Sequence, residues 1–160
     1  PYKDLLKYNF VIGIQQENFE KNKITLYCNA ILLAKKNNIF IKKWINEYES
    51  IFEPDGWCEA SVHLPYNIFK KLSATDKSNI KILEKECFYY PSYNEIEKIF
   101  ENRNDCENDI HDKLITLHLW NTFSEKYYKY IKNFEWCNNN ESLYSKLIRN
   151  LKKIIYKTQL

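Results

Sequence analysis

The stretch Lys113-Leu114-Ile115-Thr116-Leu117-His118-Leu119-Trp120-Asn121 decides how the chain is read. Its first five residues form an apolar run suited to a buried strand. His118, Trp120 and Asn121 then bring hydrogen-bonding groups to the end of that strand, where α/β proteins open their sites. The same residues also suit a plainer role, a core His and Trp closing a strand with Asn121 capping the next turn. A second cluster lies upstream, Gly56-Trp57-Cys58-Glu59-Ala60-Ser61. It follows a turn at Pro54-Asp55-Gly56.

Composition bounds the class. The 160 residues suit one domain or part of one. Hydrophobic residues make up 44%, enough for a core, and 13 Tyr, 9 Phe and 4 Trp dominate its larger side chains. The 24 basic and 21 acidic residues leave a net charge of +3. Mixed charge of this kind argues against a nucleic-acid-binding surface. The five cysteines, Cys28, Cys58, Cys87, Cys106 and Cys137, have irregular spacing and contain no C-x-x-C pair. They read as buried, reduced thiols of a cytosol-like (cytoplasmic) compartment rather than as a disulfide framework. Cys106 and His111 lack a second ligand pair for zinc, and Asp105, Asp109 and Asp112 suit a solvated loop better than a metal cluster. No apolar run reaches the roughly 18 residues that a membrane span needs. The chain opens on Pro1, without a Met, and is read as a fragment or processed product.

The order of elements follows from period and punctuation. Pro1 to Tyr8 suits a short helical turn, and Asn9 to Ile14 a strand. Gln15 to Lys23 reads as a loop. Tyr27, Ile31 and Ala34 share a helical face, so Tyr27 to Lys36 is predicted helical. A second helix is expected from Ile39 to Phe52, with Phe40, Trp44, Ile45, Tyr48 and Phe52 as core stripes. Ala60 to Leu72 reads as helix if Pro65 lies in its first turn. Ile80 to Leu83 and Cys87 to Tyr90 are short strand candidates. Ser92-Tyr93-Asn94-Glu95 has capping-box spacing and predicts a helix from Tyr93 to about Glu101. Asn102 to Asp112 reads as a loop, and helices are expected over Glu125 to Phe134 and Ser142 to Lys157. The class is a helix-rich α/β fold in one domain over residues 1–160, with 122–160 as a helical tail.

These local patterns, in this order, resemble the carboxyl-terminal two thirds of a GT-A-type glycosyltransferase. The group is the one bearing a DXD sugar-binding region, including its capsular-polysaccharide and α-1,4-glycosyltransferase branches. Pro1, Leu5-Leu6, Phe10-Val11-Ile12-Gly13, Asn29-Ala30-Ile31-Leu32, Phe40 and Trp44, Gly56-Trp57-Cys58-Glu59, Phe88-Tyr89-Tyr90-Pro91 and His118-Leu119-Trp120-Asn121 carry the likeness. The last of these is the most specific. No D-x-D occurs in the chain; in the family it precedes the position of Pro1. The resemblance thus implies a partial GT-A fold that lacks its amino-terminal nucleotide-binding strands. It also implies a sheet edge left open beside Phe10-Val11-Ile12, and inactivity of these residues without a complementing amino-terminal half.

What the resemblance implies about chemistry follows from a departing diphosphate whose charge must be neutralised. A Mn²⁺ or Mg²⁺ ion does this in the family, held with the DXD segment. His118 is then a late nitrogen ligand to the metal, or a hydrogen bond to the diphosphate. Asn121 orients that loop. Glu59 is the catalytic candidate, facing the acceptor hydroxyl as base or positioning group. Trp57 would stack on an acceptor ring, and Ser61, Asn29 and Trp120 join Asn121 as substrate-binding candidates; His63 and His111 rank below them. The expected partners are a nucleotide-sugar donor and a glycan acceptor. A sugar-binding or scaffold domain that kept the fold without catalysis is the alternative, and a Tyr/Lys nucleic-acid binder the less suited one.

Overall fold

In the computed structural model, which describes residues 2–17, 25–56, 58–110, 112–131 and 133–158, the branched run after Asn9 forms strand β1, Phe10–Glu17. A 3-10 turn, Tyr2–Lys7, leads into it. β1 is the middle of a three-stranded mixed sheet. It pairs antiparallel with β2, Thr25–Ala34, and parallel with β3, Ile80–Leu83. The expectation of an open edge beside Phe10-Val11-Ile12 is therefore corrected, since both sides of β1 are paired. Gln15 to Glu17, expected in a loop, extend β1 instead, and residues 18–23 of that loop lie outside the described residues.

β2 replaces the helix predicted over Tyr27 to Lys36. Helical spacing and a two-sided strand look alike over such a short apolar run. Tyr27 and Cys28 are adjacent, yet both are buried, one on each face of the sheet. The alternation is further broken by a bulge. Ile12 pairs with Leu32 and Gly13 with Cys28, which leaves Asn29, Ala30 and Ile31 without counterparts on β1.

The chain divides into two compact units between Tyr89 and Tyr90. In the first, helix α1, Ile39–Ile51, starts where the Asn38 side chain accepts the Ile41 N–H at 3.1 Å. Phe40 and Trp44, four apart, face the sheet and join Phe10, Ile12, Tyr27, Leu64, Ile68 and Leu72 in one core. Phe10 stacks on Phe40 at 4.6 Å between ring centroids. Burying Phe10 and Ile12 completely contributes about 1.5–3 kcal/mol each. A π-helical turn, Glu59–His63, passes directly into α2, Leu64–Lys71, and Pro65 sits in the first turn of α2, as its missing N–H requires. Helix α3, Ala74–Ser78, is capped by Ser73 and leads to β3. Cys87 to Tyr90, expected as a strand, instead begins with the single turn α4, Lys85–Phe88. Its Phe88 and Tyr89 cover the other face of the sheet, where the Tyr89 hydroxyl donates to the Cys28 carbonyl at 3.0 Å.

In the second unit the capping-box segment forms a 3-10 turn, Tyr93–Glu95, followed by α5, Glu97–Phe100. The Ser92 side chain makes no capping bond there. Lys113 to Leu117 is not the predicted strand. Leu117 makes one isolated parallel bridge to Tyr90, and residues 114–120 are half-buried. Helix α6, Asn121–Tyr128, begins four residues before the predicted start and ends sooner, and α7, Phe134–Asn138, follows with Asn133 as its cap. The long helix α8, Leu143–Thr158, lies where the amphipathic pattern placed it. Ile96, Ile99 and Phe100 form this unit's core with Tyr127, Tyr128, Ile131 and Tyr144 packed on it. The molecule is helix-rich with a small mixed sheet, compatible with an α/β class.

Gly13 gives a direct test of the sheet's packing. A Cβ there would lie 2.6 Å from Tyr89 Cε2 and 2.9 Å from Phe88 Cδ2, on rings that are fully buried. Gly13→Ala should destabilise the chain by about 1–3 kcal/mol, the usual cost of overpacking. Chemical denaturation measures it, and an unchanged midpoint would show that the two rings can retreat.

Candidate functional site

The first unit's site is built on a bond between α1 and the turn after the Gly56 cluster. The Trp44 indole N–H donates to the Ala60 carbonyl at 2.7 Å. Cys58 enters the turn in the left-handed region, with φ 68°. Its carbonyl accepts from both Val62 and His63, at 2.8 and 3.2 Å. Such π turns are rare and recur at functional sites. The turn presents Ser61 to an open groove of about 410 Å³, in the range of small-ligand pockets. Asn29 reaches the same groove from the β2 bulge. Trp44, Tyr48 and Glu49 line it from α1.

Glu59 stands at the start of the π turn, half-buried and two residues before Ser61. Its carboxylate folds back over Gly56, where a Cβ would meet Glu59 Oε2 at 2.6 Å. Burial, and after it the nearby Glu59 charge, push the Cys58 thiol up from its ordinary range, so this partly exposed sulfur stays protonated. None of the five cysteines forms a disulfide, and four of them are buried. Trp57 lies outside the described residues, as does His111.

In the second unit His118 closes a loop tied down at three points. The His118 N–H donates to the Tyr90 carbonyl at 3.2 Å. The Trp120 N–H donates to His118 Nδ1, also at 3.2 Å. The Trp120 indole N–H donates to the Pro91 carbonyl at 2.7 Å. The imidazole and the indole lie 4.1 Å apart, and Tyr93 packs edge-on against Trp120. Trp120 takes a left-handed φ of 46°, which turns the chain into α6. The Ser124 hydroxyl donates to the Leu119 carbonyl and closes the turn from below. Asn121 is the exposed first residue of α6 rather than its cap.

This geometry assigns a tautomer. Half-burial holds the His118 imidazole below its ordinary range, so it is neutral near pH 7. Nδ1 accepts a backbone N–H, so the ring proton sits on Nε2, which acts as a donor. Among the described residues no group of three His, Cys, Asp or Glu side chains converges as a metal site.

Thus Asn29 and Ser61 meet on one groove with Glu59 beside them in sequence, and His118, Trp120 and Asn121 share one loop. Sequence reasoning missed Tyr48 and Glu49. The apolar spacing assigns Tyr48, Ile45 and Phe52 to the core, but they are 39%, 65% and 51% exposed while Phe40 and Trp44 are buried. The signal was available, because these positions span a wider arc than the roughly 100° stripe that a core face needs.

A sequence profile of the alpha 1,4-glycosyltransferase conserved region matches residues 33–157. The chain belongs to that family. Over 155 residues it is 24% identical to glucan organizing enzyme 1 of Cryptococcus neoformans var. grubii. That match takes in 93% of this chain, which spans 40% of the relative's length. No solved structure matches the chain. Among the described residues no helix is long and apolar enough to cross a membrane.

The lowered His118 pKa has a pH signature. An unfolded chain whose His titrates near ~6.5 binds more protons than the folded one just below that pH. Stability should therefore fall as pH drops through that window and be complete above it. The melting temperature between pH 7 and 5 should decline more steeply for the natural chain than for His118→Gln. Parallel slopes would show that His118 protonates in place without cost.

Proposed function

We propose that this chain is the carboxyl-terminal part of a GT-A-type glycosyltransferase domain, which moves a sugar from a nucleotide-sugar donor to a glycan hydroxyl. The donor's C1–O bond to the diphosphate breaks, the acceptor oxygen bonds to C1, and the acceptor proton leaves. The observation that carries the reading is the tied-down His118 loop, because it offers a fixed N–H donor of the kind a departing diphosphate needs. His118 Nε2–H donates to that diphosphate, and Trp120 and Asn121 hold the loop that aims it.

A divalent Mn²⁺ or Mg²⁺ ion, when bound, would neutralise diphosphate charge. Its carboxylate ligands would come from a DXD segment, which the 160 residues do not contain. The Nδ1 acceptor bond favours the hydrogen-bonding role of His118 over the ligand role, since a neutral ring with its proton on Nε2 has no lone pair there to give. Glu59 positions the acceptor hydroxyl and, in an inverting reaction, takes its proton. Asn29 and Ser61 hold acceptor hydroxyls. The base and ribose of the donor are bound by residues outside this chain, so the chain alone transfers no sugar.

Two variants of the full-length protein test the roles. Glu59→Gln keeps the size and removes the charge, so transfer should fall at least ~100-fold with donor KM unchanged. An unaltered rate would reduce Glu59 to a structural residue. His118→Ala should lower kcat by roughly 100-fold, the scale of one lost donor at a developing anion. His118→Gln, whose amide N–H can replace Nε2–H, should recover part of that loss. The apparent Mn²⁺ affinity should stay the same in both. A Mn²⁺ affinity weakened by about 10- to 100-fold would return His118 to the ligand role.

A further inference from the structure

The groove of the first unit continues onto a ledge that neither Glu59 nor His118 explains. Tyr48 on α1 and Phe52, the residue that caps its carboxyl end, stack at 5.5 Å with their rings only 16° from parallel, and both are exposed. Trp44 closes the inner end, held rigid by its bond to Ala60. The Asn29 amide, the Ser61 hydroxyl and the Glu49 carboxylate line the groove beside these rings, together with the aliphatic side chains of Leu32, Ile41 and Ile45.

The chemistry of that lining selects its occupant. The described lining includes one acid, Glu49, and no Lys or Arg. A nucleoside diphosphate would meet repulsion there and no compensating cation. A pyranose has the opposite character, with an apolar face of C–H groups and a rim of neutral hydroxyls. Exposed aromatic rings suit the face, and amide, hydroxyl and carboxylate groups suit the rim. A volume of about 410 Å³ suits a ligand of one or two sugar rings.

We propose that this ledge is a binding site for a neutral acceptor glycan, with Tyr48 stacking on a sugar ring and Glu49 and Asn29 taking its hydroxyls. The proposal rests on the glycosyl-transfer reading above for the word acceptor, but not for sugar binding itself. Phe52 extends the platform to a second ring. The acceptor is thereby gripped at a distance from its reacting hydroxyl.

The test titrates the whole chain with maltohexaose and with cellohexaose, following the intrinsic fluorescence of the Trp residues and ligand-observed NMR. One of the two probes should bind, and UDP should not compete. Tyr48→Ala should weaken binding by roughly 10-fold, the scale of one lost stacking contact, while Tyr48→Phe should not. Both variants alter an exposed side chain, so an unchanged melting temperature checks the fold. Binding of neither probe overturns the proposal, and so does a Tyr48→Ala variant that binds as the natural chain does. In the full-length protein Tyr48→Ala should raise the acceptor KM and leave the donor KM alone. Transfer that depends on Glu59 and His118 but ignores Tyr48 would sink the ledge and keep the transferase reading. Sugar binding without any transfer would do the reverse.

Discussion

Strand β1 must be buried on both faces at once, and the first unit is arranged around that need. Phe10 and Ile12 point into the aromatic core under α1 and α2, and neither has measurable exposure. On the opposite face Gly13 has no side chain, and the rings of Phe88 and Tyr89 take that space. Over Phe10 to Gly13 this strand is also paired on both edges, with β2 on one side and β3 on the other.

The groove follows from the same constraint. β1 and β2 do not match residue for residue, so Asn29, Ala30 and Ile31 loop out of register. That bulge carries Asn29 to the surface. The core that covers Phe10 also fixes α1, and α1 carries Trp44 to the Ala60 carbonyl. A residue used for packing thus fixes a π turn, and the turn places Ser61 and Glu59. Packing and positioning are one set of contacts here.

The second unit reaches rigidity by other means. Its key loop is not a strand, and hydrogen bonds replace the ladder that a strand would have had. Tyr90 and Pro91 carbonyls accept from the backbone of His118 and the indole of Trp120. The two motifs that stood far apart in the resemblance, Tyr90-Pro91 and His118-Leu119-Trp120, are partners in this loop. The left-handed Trp120 is a strained position for a bulky residue. Its indole contacts with His118 and Tyr93, together with the bond to Pro91, hold it there.

Elements whose signals are local can be read from the residues alone. The branched run of β1, the span of α1, the Pro in the first turn of α2 and the long stripe of α8 were all legible. So was the family, because motif order survives without coordinates. Tertiary structure decided the rest. A helix over Tyr27 to Lys36 and strands at Cys87–Tyr90 and Lys113–Leu117 fitted the local pattern equally well. Each was overturned by the availability of a partner, since a strand exists only where another strand offers its edge. The division of α1 into a buried and an exposed apolar face had the same origin. Residue type names the side chains with hydrogen-bonding chemistry, and only the bulge, the π turn and the Nδ1 bond fix where Asn29, Ser61 and His118 stand.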